Sequence, residues 1–193
     1  MSRKIPEILD MQEQKQLLNI FNIRYFNSRR NKVMIELFLC TGLRLSEMLD
    51  LKWKDINLMS GQLKVVQGKG KKDRILWVNE DMLNILRNWK IEQSNKYGVV
   101  DLVFCSRNKK RLDDKGIRKM IETYSIKAGI NKHITPHTLR HTYATDLLRE
   151  TKNIRLVQKA LGHADLSTTM IYTHIVDDEY EDALKNFRNR INV

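Results

Sequence analysis

The stretch Thr135-Pro136-His137-Thr138-Leu139-Arg140-His141 decides how the second half of the chain folds. Thr135 is a good N-cap and Pro136 fits the first helical position, so the sequence predicts a helix that runs to about Glu150. At about 100° per residue, this helix has two distinct faces. The polar face carries His137, Arg140, His141 and Ala144, and the opposite face carries Leu139, Tyr143 and Leu147.

A histidine and an arginine three residues apart, beside a small alanine, can both reach one tetrahedral anion. An isolated pair of this kind is more often a surface pair that caps a helix N-terminus, and the spacing alone leaves that alternative open. A zinc site is not expected, although His137 and His141 are four residues apart. The helix lacks the glutamate of a zinc-hydrolase motif, and Arg140 puts a cation where a metal would bind.

Two short stretches further along could complete an active site. Leu161-Gly162-His163 ends the next predicted helix, and Ile171-Tyr172-Thr173-His174 follows shortly afterwards. Taken alone, His163 is typical of a helix end and Tyr172 of a half-buried aromatic residue. Taken together with Arg140, they could hold a phosphodiester and attack it, because tyrosine offers a nucleophilic oxygen and the cations neutralise phosphate charge.

The composition favours a polyanionic partner. The chain has 193 residues, with 35 Lys and Arg against 23 Asp and Glu, which gives a formal net charge of +12. Nucleic acid is the first candidate for such a chain, and a generally basic proteome is the alternative explanation. No apolar run approaches the roughly 18 residues of a membrane helix, and the N-terminus does not resemble a signal peptide. We therefore expect a cytoplasmic protein.

Hydrophobic periodicity predicts one compact domain with a mainly helical α+β fold and a small antiparallel three-stranded sheet. The strands are predicted at 51–56, 63–66 and 75–78, with a turn rich in glycine and lysine at 67–74. Helices are predicted at 10–23, 31–40, 81–94, 115–128, 135–150, 154–161 and 180–191, with a short one opening after Arg44 and a polar connection at 27–32. Cys40 and Cys105 lie in apolar runs and are expected to be small core residues.

The chain as a whole resembles the catalytic domain of the tyrosine recombinase (phage integrase) family, which includes Xer-type and short invertase-type recombinases. Five stretches carry the resemblance, in the family's order: Thr41-Gly42-Leu43-Arg44-Leu45-Ser46-Glu47, Gly68-Lys69-Gly70-Lys71-Lys72-Asp73-Arg74, Thr135 to His141, Leu161 to Thr169, and Ile171-Tyr172-Thr173-His174. The resemblance implies a catalytic set of Arg44, Lys69, His137, Arg140, His163 and Tyr172. Lys71 lies in the same turn as Lys69 and is the alternative lysine.

The implied reaction is phosphoryl transfer without a metal or another cofactor. Tyrosine has a pKa near 10, so its ionisation at pH 7 costs about 4 kcal/mol and needs a base and nearby cations. The family roles make Tyr172 the nucleophile, His137 the acceptor of its proton and Lys69 the general acid for the leaving 5′ oxygen. Arg44 and Arg140 would bind the non-bridging oxygens, with His163 as a further donor.

The resemblance also implies partners. These are double-stranded DNA, a homo-oligomer that forms a tetramer on the DNA synapse, and accessory DNA-bending proteins in some systems. We assign residues 1–176 to the catalytic domain and 177–193 to a C-terminal helical tail. The tail docks on a neighbouring subunit in the family, and packing on its own domain is the alternative.

Two questions stay open at the level of sequence. Most family members carry an additional N-terminal DNA-binding domain, but here only about forty residues precede the first family motif. The chain is therefore expected to be either a natural short recombinase or an excised catalytic domain. The expected function is site-specific DNA recombination in integration, excision or inversion. A catalytically silent DNA-binding regulator and a type IB topoisomerase-like relaxing enzyme are the alternatives.

Overall fold

The structure is a computed structural model that describes residues 6–66, 73–163, 165 and 168–173. The elements in chain order are α1 (Met11–Asn19), α2 (Phe26–Thr41), α3 (Leu45–Asp50), β1 (Gln62–Val65), β2 (Arg74–Trp77), α4 (Glu80–Tyr97), α5 (Asp114–Lys127), α6 (Pro136–Thr151) and α7 (Ile154–Leu161), with 3-10 turns at Trp53–Asp55 and Met170–Tyr172. The mainly helical α+β prediction is confirmed. The predicted tail helix at 180–191 and the turn at 67–72 lie outside the described residues.

Helix α2 lies at the centre of the large hydrophobic core, where it packs against α4 and α6. It buries Val33, Met34, Leu37 and Phe38 completely or nearly so. Burial on several sides of its second half explains why residues 33–40 are mostly apolar and not striped. Because α2 ends at Thr41, this packing fixes the position of the chain that turns into α3.

A second, smaller cluster lies between α6, α7 and the 3-10 turn Met170–Tyr172. Its buried members are Ala144, Leu148, Val157, Leu161 and Tyr172. The two helices contribute one apolar stripe each, as their 3.6-residue spacing predicts. This cluster brings Tyr172 back onto α6, although it lies beyond α7 in the chain.

The prediction of a three-stranded sheet is wrong in one strand, because the sheet of the described residues has two strands. Strands β1 and β2 pair antiparallel, with Leu63 opposite Leu76. In the predicted first strand, the Asp55 carboxylate accepts a hydrogen bond from the Lys52 backbone N–H at 3.2 Å and closes a 3-10 turn. Single bridges flank this turn and connect it to Leu102 and Leu63, so the extended pairing is never continuous.

The first two helices differ from their predicted limits. Helix α1 ends at Asn19, and Ile23, predicted on its apolar side, is 60% exposed. Helix α2 begins at Phe26, so the predicted polar connection is its first turns. The reason is tertiary: Phe26 packs on Trp89, and Arg30 donates a hydrogen bond to the Cys105 carbonyl oxygen.

Helix caps hold the chain in place around the later site. Gly42 ends α2 in the left-handed conformation with φ 59°, and Gly162 ends α7 with φ 65°, as predicted for C-cap glycines. Thr135 caps α6 through its side chain, with Pro136 at the start of the helix. Both predicted cap types are therefore confirmed, and each places a candidate site residue directly beside it.

No helix within the described ranges is long and apolar enough to cross a membrane. Cys105 is buried and Cys40 is half-buried against the core, and both are free thiols.

Candidate active site

Arg140 is the central cation of the site. It is 4% exposed, and its guanidinium donates to two backbone carbonyl oxygens, that of Gly42 after α2 and, at 2.7 Å, that of Leu161 at the end of α7. Burial and the charge of Arg44 lower its pKa to about 10, so it stays protonated at pH 7. These bonds and that to His163 fix the position of the planar guanidinium without further ordering.

Arg44 lies at the N-terminus of α3 and is more open to solvent. Its side chain is 36% exposed and donates to the Glu47 carboxylate at 2.9 Å, while its backbone N–H donates to the second Glu47 oxygen at 2.7 Å. The charge of Arg44 also lowers the pKa values of Arg140, His163 and His137. The charge of Arg44 therefore acts on all three of these side chains.

His163 follows the Gly162 cap and bonds Arg140 directly. Its Nε2 lies 3.1 Å from Arg140 Nη2, and its Nδ1 lies 3.0 Å from the Thr169 hydroxyl. Burial, followed by the charges of Arg140 and Arg44, lowers the pKa of His163 to about 4. The imidazole is therefore neutral at pH 7, and its orientation is fixed from both ring nitrogens.

Tyr172 is 1% exposed, and its hydroxyl lies 2.8 Å from Nδ1 of His141. Burial raises the pKa of Tyr172 to about 12, although the charge of Arg140 acts in the opposite direction. Burial and the neighbouring charges of His137 and Arg140 lower the pKa of His141 to about 4. A neutral imidazole can accept the phenolic proton, so the predicted nucleophile lies in direct contact with a group that can act as a base.

The two remaining residues of the predicted catalytic set are His137 and Lys69. His137 lies in the first turn of α6 and is exposed. It makes no hydrogen bond through its side chain to another described residue. Partial burial, followed by the charges of Arg118, Arg140 and Arg44, lowers its pKa. Lys69 lies outside the described residues. The structure thus brings Arg44, Arg140, His163 and Tyr172 together around α6, with His137 at the open edge.

Four residues of this site were missed by sequence reasoning: Glu47, Arg74, His141 and Thr169. A local signal existed for two of them. His141 was recognised on the polar face of α6 but given no role, and Glu47 is an acidic residue three positions after Arg44, where it closes the first turn of α3. Arg74, the first residue of β2, had no such signal, because Ile75-Leu76-Trp77 is apolar throughout and does not reveal which side of the strand is buried. The pairing of Glu47 with Arg74, 27 positions away, and the contact of Thr169 with His163 also have no local pattern.

The profile of the Phage integrase family matches residues 7–179, and the chain belongs to this family. It is 38% identical over 192 residues to the tyrosine recombinase XerD of Staphylococcus saprophyticus, and 39% identical over 193 residues to that of Oceanobacillus iheyensis. Each alignment covers 97% of this chain and 64% of the relative, so the chain spans less than two thirds of their length.

Solved structures agree with this assignment. The crystal structure of XerA recombinase matches with a TM-score of 0.82 and 33% identity, covering 100% of this chain and 66% of that one. The post-cleavage complex of XerH site-specific recombinase with palindromic difH substrate matches with a TM-score of 0.81 and 33% identity, covering 94% and 53% of the two chains. The family and the fold expected from the motifs are both confirmed.

Proposed function

We propose that this chain is the catalytic part of a site-specific DNA recombinase that cuts and rejoins double-stranded DNA through a 3′-phosphotyrosyl intermediate. The observation that carries the proposal is the arrangement around α6. Arg140 bonds His163 at 3.1 Å, and the next residue, His141, bonds the Tyr172 hydroxyl at 2.8 Å. The arginine that would bind the phosphate and the histidine beside the nucleophilic oxygen are thus consecutive residues of one helix. The similarity to XerH, solved with its difH substrate, supports DNA as the substrate.

The reaction balances with these groups alone. The Tyr172 oxygen attacks the scissile phosphorus, the bond to the tyrosine oxygen forms, and the bond to the 5′ oxygen breaks. The phenolic proton passes to a histidine, for which His137 is the family assignment, and Lys69 protonates the leaving 5′ oxygen. The reverse step consumes a 5′ hydroxyl of a second strand and restores the tyrosine, so the bond energy is conserved.

The cations explain how a buried tyrosine with a pKa of about 12 can react at all. Ionising it at pH 7 costs about 7 kcal/mol. Arg44 and Arg140 offset part of this cost where charge builds on the phosphoryl oxygens of the transition state, and His163 orients Arg140. No step in this scheme asks for a metal ion or another cofactor.

Assembly and location are proposed on family grounds. We infer that the acting form is a homo-oligomer, a tetramer on paired DNA sites, with the tail at 177–193 docking between subunits and accessory DNA-bending proteins in some systems. The net charge of +12 supports a large phosphate contact surface, and the site of action is the cytoplasm.

The test is covalent trapping. The chain is incubated with a nicked duplex that carries the inverted repeats flanking its gene, so that the cleaved 5′ end diffuses away. Wild type should give a DNA adduct that withstands detergent, and Tyr172→Phe should give none. DNA binding without an adduct would instead indicate a silent regulator, and an adduct with supercoil relaxation but no recombinant product would indicate a topoisomerase-like enzyme.

A further inference from the structure

Arg74 is a buried cation with no part in the chemistry described above. It lies at the start of β2, directly after the glycine- and lysine-rich turn, and is 8% exposed. Its Nη1 and Nη2 atoms donate to Glu47 Oε1 and Oε2, each at 2.8 Å, and its Nε donates to the Ala160 carbonyl oxygen at 2.9 Å. The guanidinium thus joins β2, α3 and the end of α7 through three hydrogen bonds.

Glu47 connects Arg74 to the phosphate-facing side of the site. The same two carboxylate oxygens that receive Arg74 also receive the side chain and the backbone N–H of Arg44, at 2.9 Å and 2.7 Å. The Glu47 side chain is 9% exposed, that of Arg74 7% and that of Arg44 36%. The Glu47 carboxylate therefore bonds a buried arginine, Arg74, and a partly exposed arginine, Arg44.

At the end of α7, Arg74 lies beside the backbone group that binds Arg140. Arg74 binds the carbonyl oxygen of Ala160, and Arg140 binds that of the next residue, Leu161. Carbonyl groups in the last turn of a helix have no partner within the helix, so two guanidiniums fix the chain immediately before His163. Arg74 thus bonds Glu47, which holds Arg44. It also bonds Ala160, the neighbour of the residue whose carbonyl oxygen holds Arg140.

Stability alone is a poor explanation for this pair. Replacing a buried ion pair with apolar residues of similar volume is often neutral or stabilising, because both charges must be taken out of water. What a bidentate guanidinium and carboxylate provide better than apolar residues is a fixed direction for each group. An arginine that binds a non-bridging oxygen gains from such fixing, since freezing its side chain during binding would cost free energy.

We propose that Arg74 is a positioning residue that holds Glu47, and through it Arg44, in the orientation that binds the scissile phosphate. This inference rests on the proposed function, because it assigns Arg44 to the phosphate. Arg74 itself does not contact the substrate in this scheme. Its loss should therefore act on the reaction through the non-bridging oxygen that Arg44 would bind.

The main experiment compares two DNA substrates, the natural nicked duplex and one whose scissile phosphate is a methylphosphonate. The methyl group removes a charged non-bridging oxygen, and with it the need for the arginine that binds there. On natural DNA, Arg74→Met should cleave about 10- to 100-fold more slowly than wild type. On methylphosphonate DNA the difference should shrink to about threefold or less, and Arg44→Ala should show the same pattern.

Two further variants separate positioning from stability. Arg74→Lys keeps the charge but not the fork of two parallel donors, so it should lie between wild type and Arg74→Met and remain folded. Arg30→Gln is the control, because Arg30 is a half-buried arginine of α2 that bonds Asn31 and Cys105, about 18 Å along the helix from Gly42. It should slow cleavage of both substrates by the same factor, if at all. An equal loss on both substrates for Arg74→Lys would overturn the proposal.

A DNA-free measurement keeps this inference distinct from the proposed function. In spectra of 15N-labelled arginine, the Nε–H group of Arg44 should be ordered in wild type and mobile in Arg74→Lys, and it should be unchanged in Arg30→Gln. An Arg44 signal that is equally ordered without Arg74 would contradict the positioning role. Wild type that forms no adduct with either substrate would overturn the proposed function, while the arginine spectra would still decide whether Arg74 orders Arg44.

Discussion

The Nδ1 atom of His141 lies 2.8 Å from the hydroxyl oxygen of Tyr172, because the 3-10 turn that carries the tyrosine packs on α6. The tyrosine is 1% exposed, so this imidazole provides a hydrogen bond that water would otherwise supply. The two rings are also near each other, with centroids 5.6 Å apart. The predicted nucleophile is therefore held against the helix that carries Arg140, inside a small apolar cluster and away from solvent.

A double-mutant cycle should measure this contact. His141→Phe leaves a buried phenol without a partner and should destabilise the fold by about 1–3 kcal/mol. Tyr172→Phe should cost about 1 kcal/mol, and the double variant should cost less than the sum, with a coupling of about 1 kcal/mol. Urea unfolding followed by circular dichroism gives the three values. Strict additivity would mean that the contact contributes nothing to stability.

The same contact should make stability depend on pH. The pKa of His141 falls from 6.5 to about 4 in the folded chain, because burial and nearby charges disfavour the cation. Between these values the unfolded chain binds a proton that the folded chain does not. Stability should therefore be greatest above pH 6.5 and decrease as the pH falls toward 4, by up to about 1.4 kcal/mol per pH unit for this histidine.

The control for this pH effect is His141→Phe, whose free energy of unfolding should fall less steeply between about pH 7 and pH 5. His163, with a pKa also lowered to about 4, should keep a residual slope in the variant. Burial raises the pKa values of Glu36 and Asp146, so these groups act in the opposite sense in both proteins and cancel in the comparison. Identical slopes in wild type and variant would contradict the assignment.

Replacing Arg140 with lysine should abolish most of the cleavage activity. A lysine ammonium cannot serve the Gly42 and Leu161 carbonyl oxygens and His163 together in the planar geometry that the guanidinium provides. Single-turnover cleavage should slow by about 10²-fold or more, the scale of losing one preorganised donor to transition-state charge. Arg149→Lys, which changes a partly exposed arginine of the same helix, is the control and should cleave within about twofold of wild type.

Gly42 should not tolerate a side chain. It has φ +59°, and an added Cβ would lie 2.3 Å from Cδ1 of Tyr143. Gly42→Ala should therefore destabilise the chain by more than the roughly 1–2 kcal/mol of a left-handed alanine, and it should also slow cleavage because the Gly42 carbonyl oxygen holds Arg140. Thermal unfolding and the trapping assay measure the two effects.

Gly129 is the matched control for that substitution. It has φ +73° two residues after the end of α5, and an added Cβ would meet nothing within 4 Å. Gly129→Ala should show the backbone cost alone, about 1–2 kcal/mol, with cleavage unchanged. If the two alanine variants lose equal stability, the contact with Tyr143 does not limit the site.

Local sequence determined the elements that carry the site, because caps and helical stripes depend on residues close together in the chain. The Thr135 cap, the Gly42 and Gly162 ends and the helix that opens after Arg44 were all predictable in this way. The family followed from the order of five short motifs, because such motifs can be recognised without any knowledge of tertiary contacts. The third strand failed because one side chain, Asp55, closed a turn that alternation cannot reveal.

Tertiary structure alone decided which groups meet. The ion pair of Glu47 with Arg74 spans 27 positions in sequence, and the contact of His141 with Tyr172 spans 31. Such pairings depend on how α3, β2, α6 and the final 3-10 turn pack, and packing is set by the whole core and not by any short pattern. The sequence by itself thus determined the family and the order of the predicted site residues, while the fold determined what supports Arg44 and what holds Tyr172.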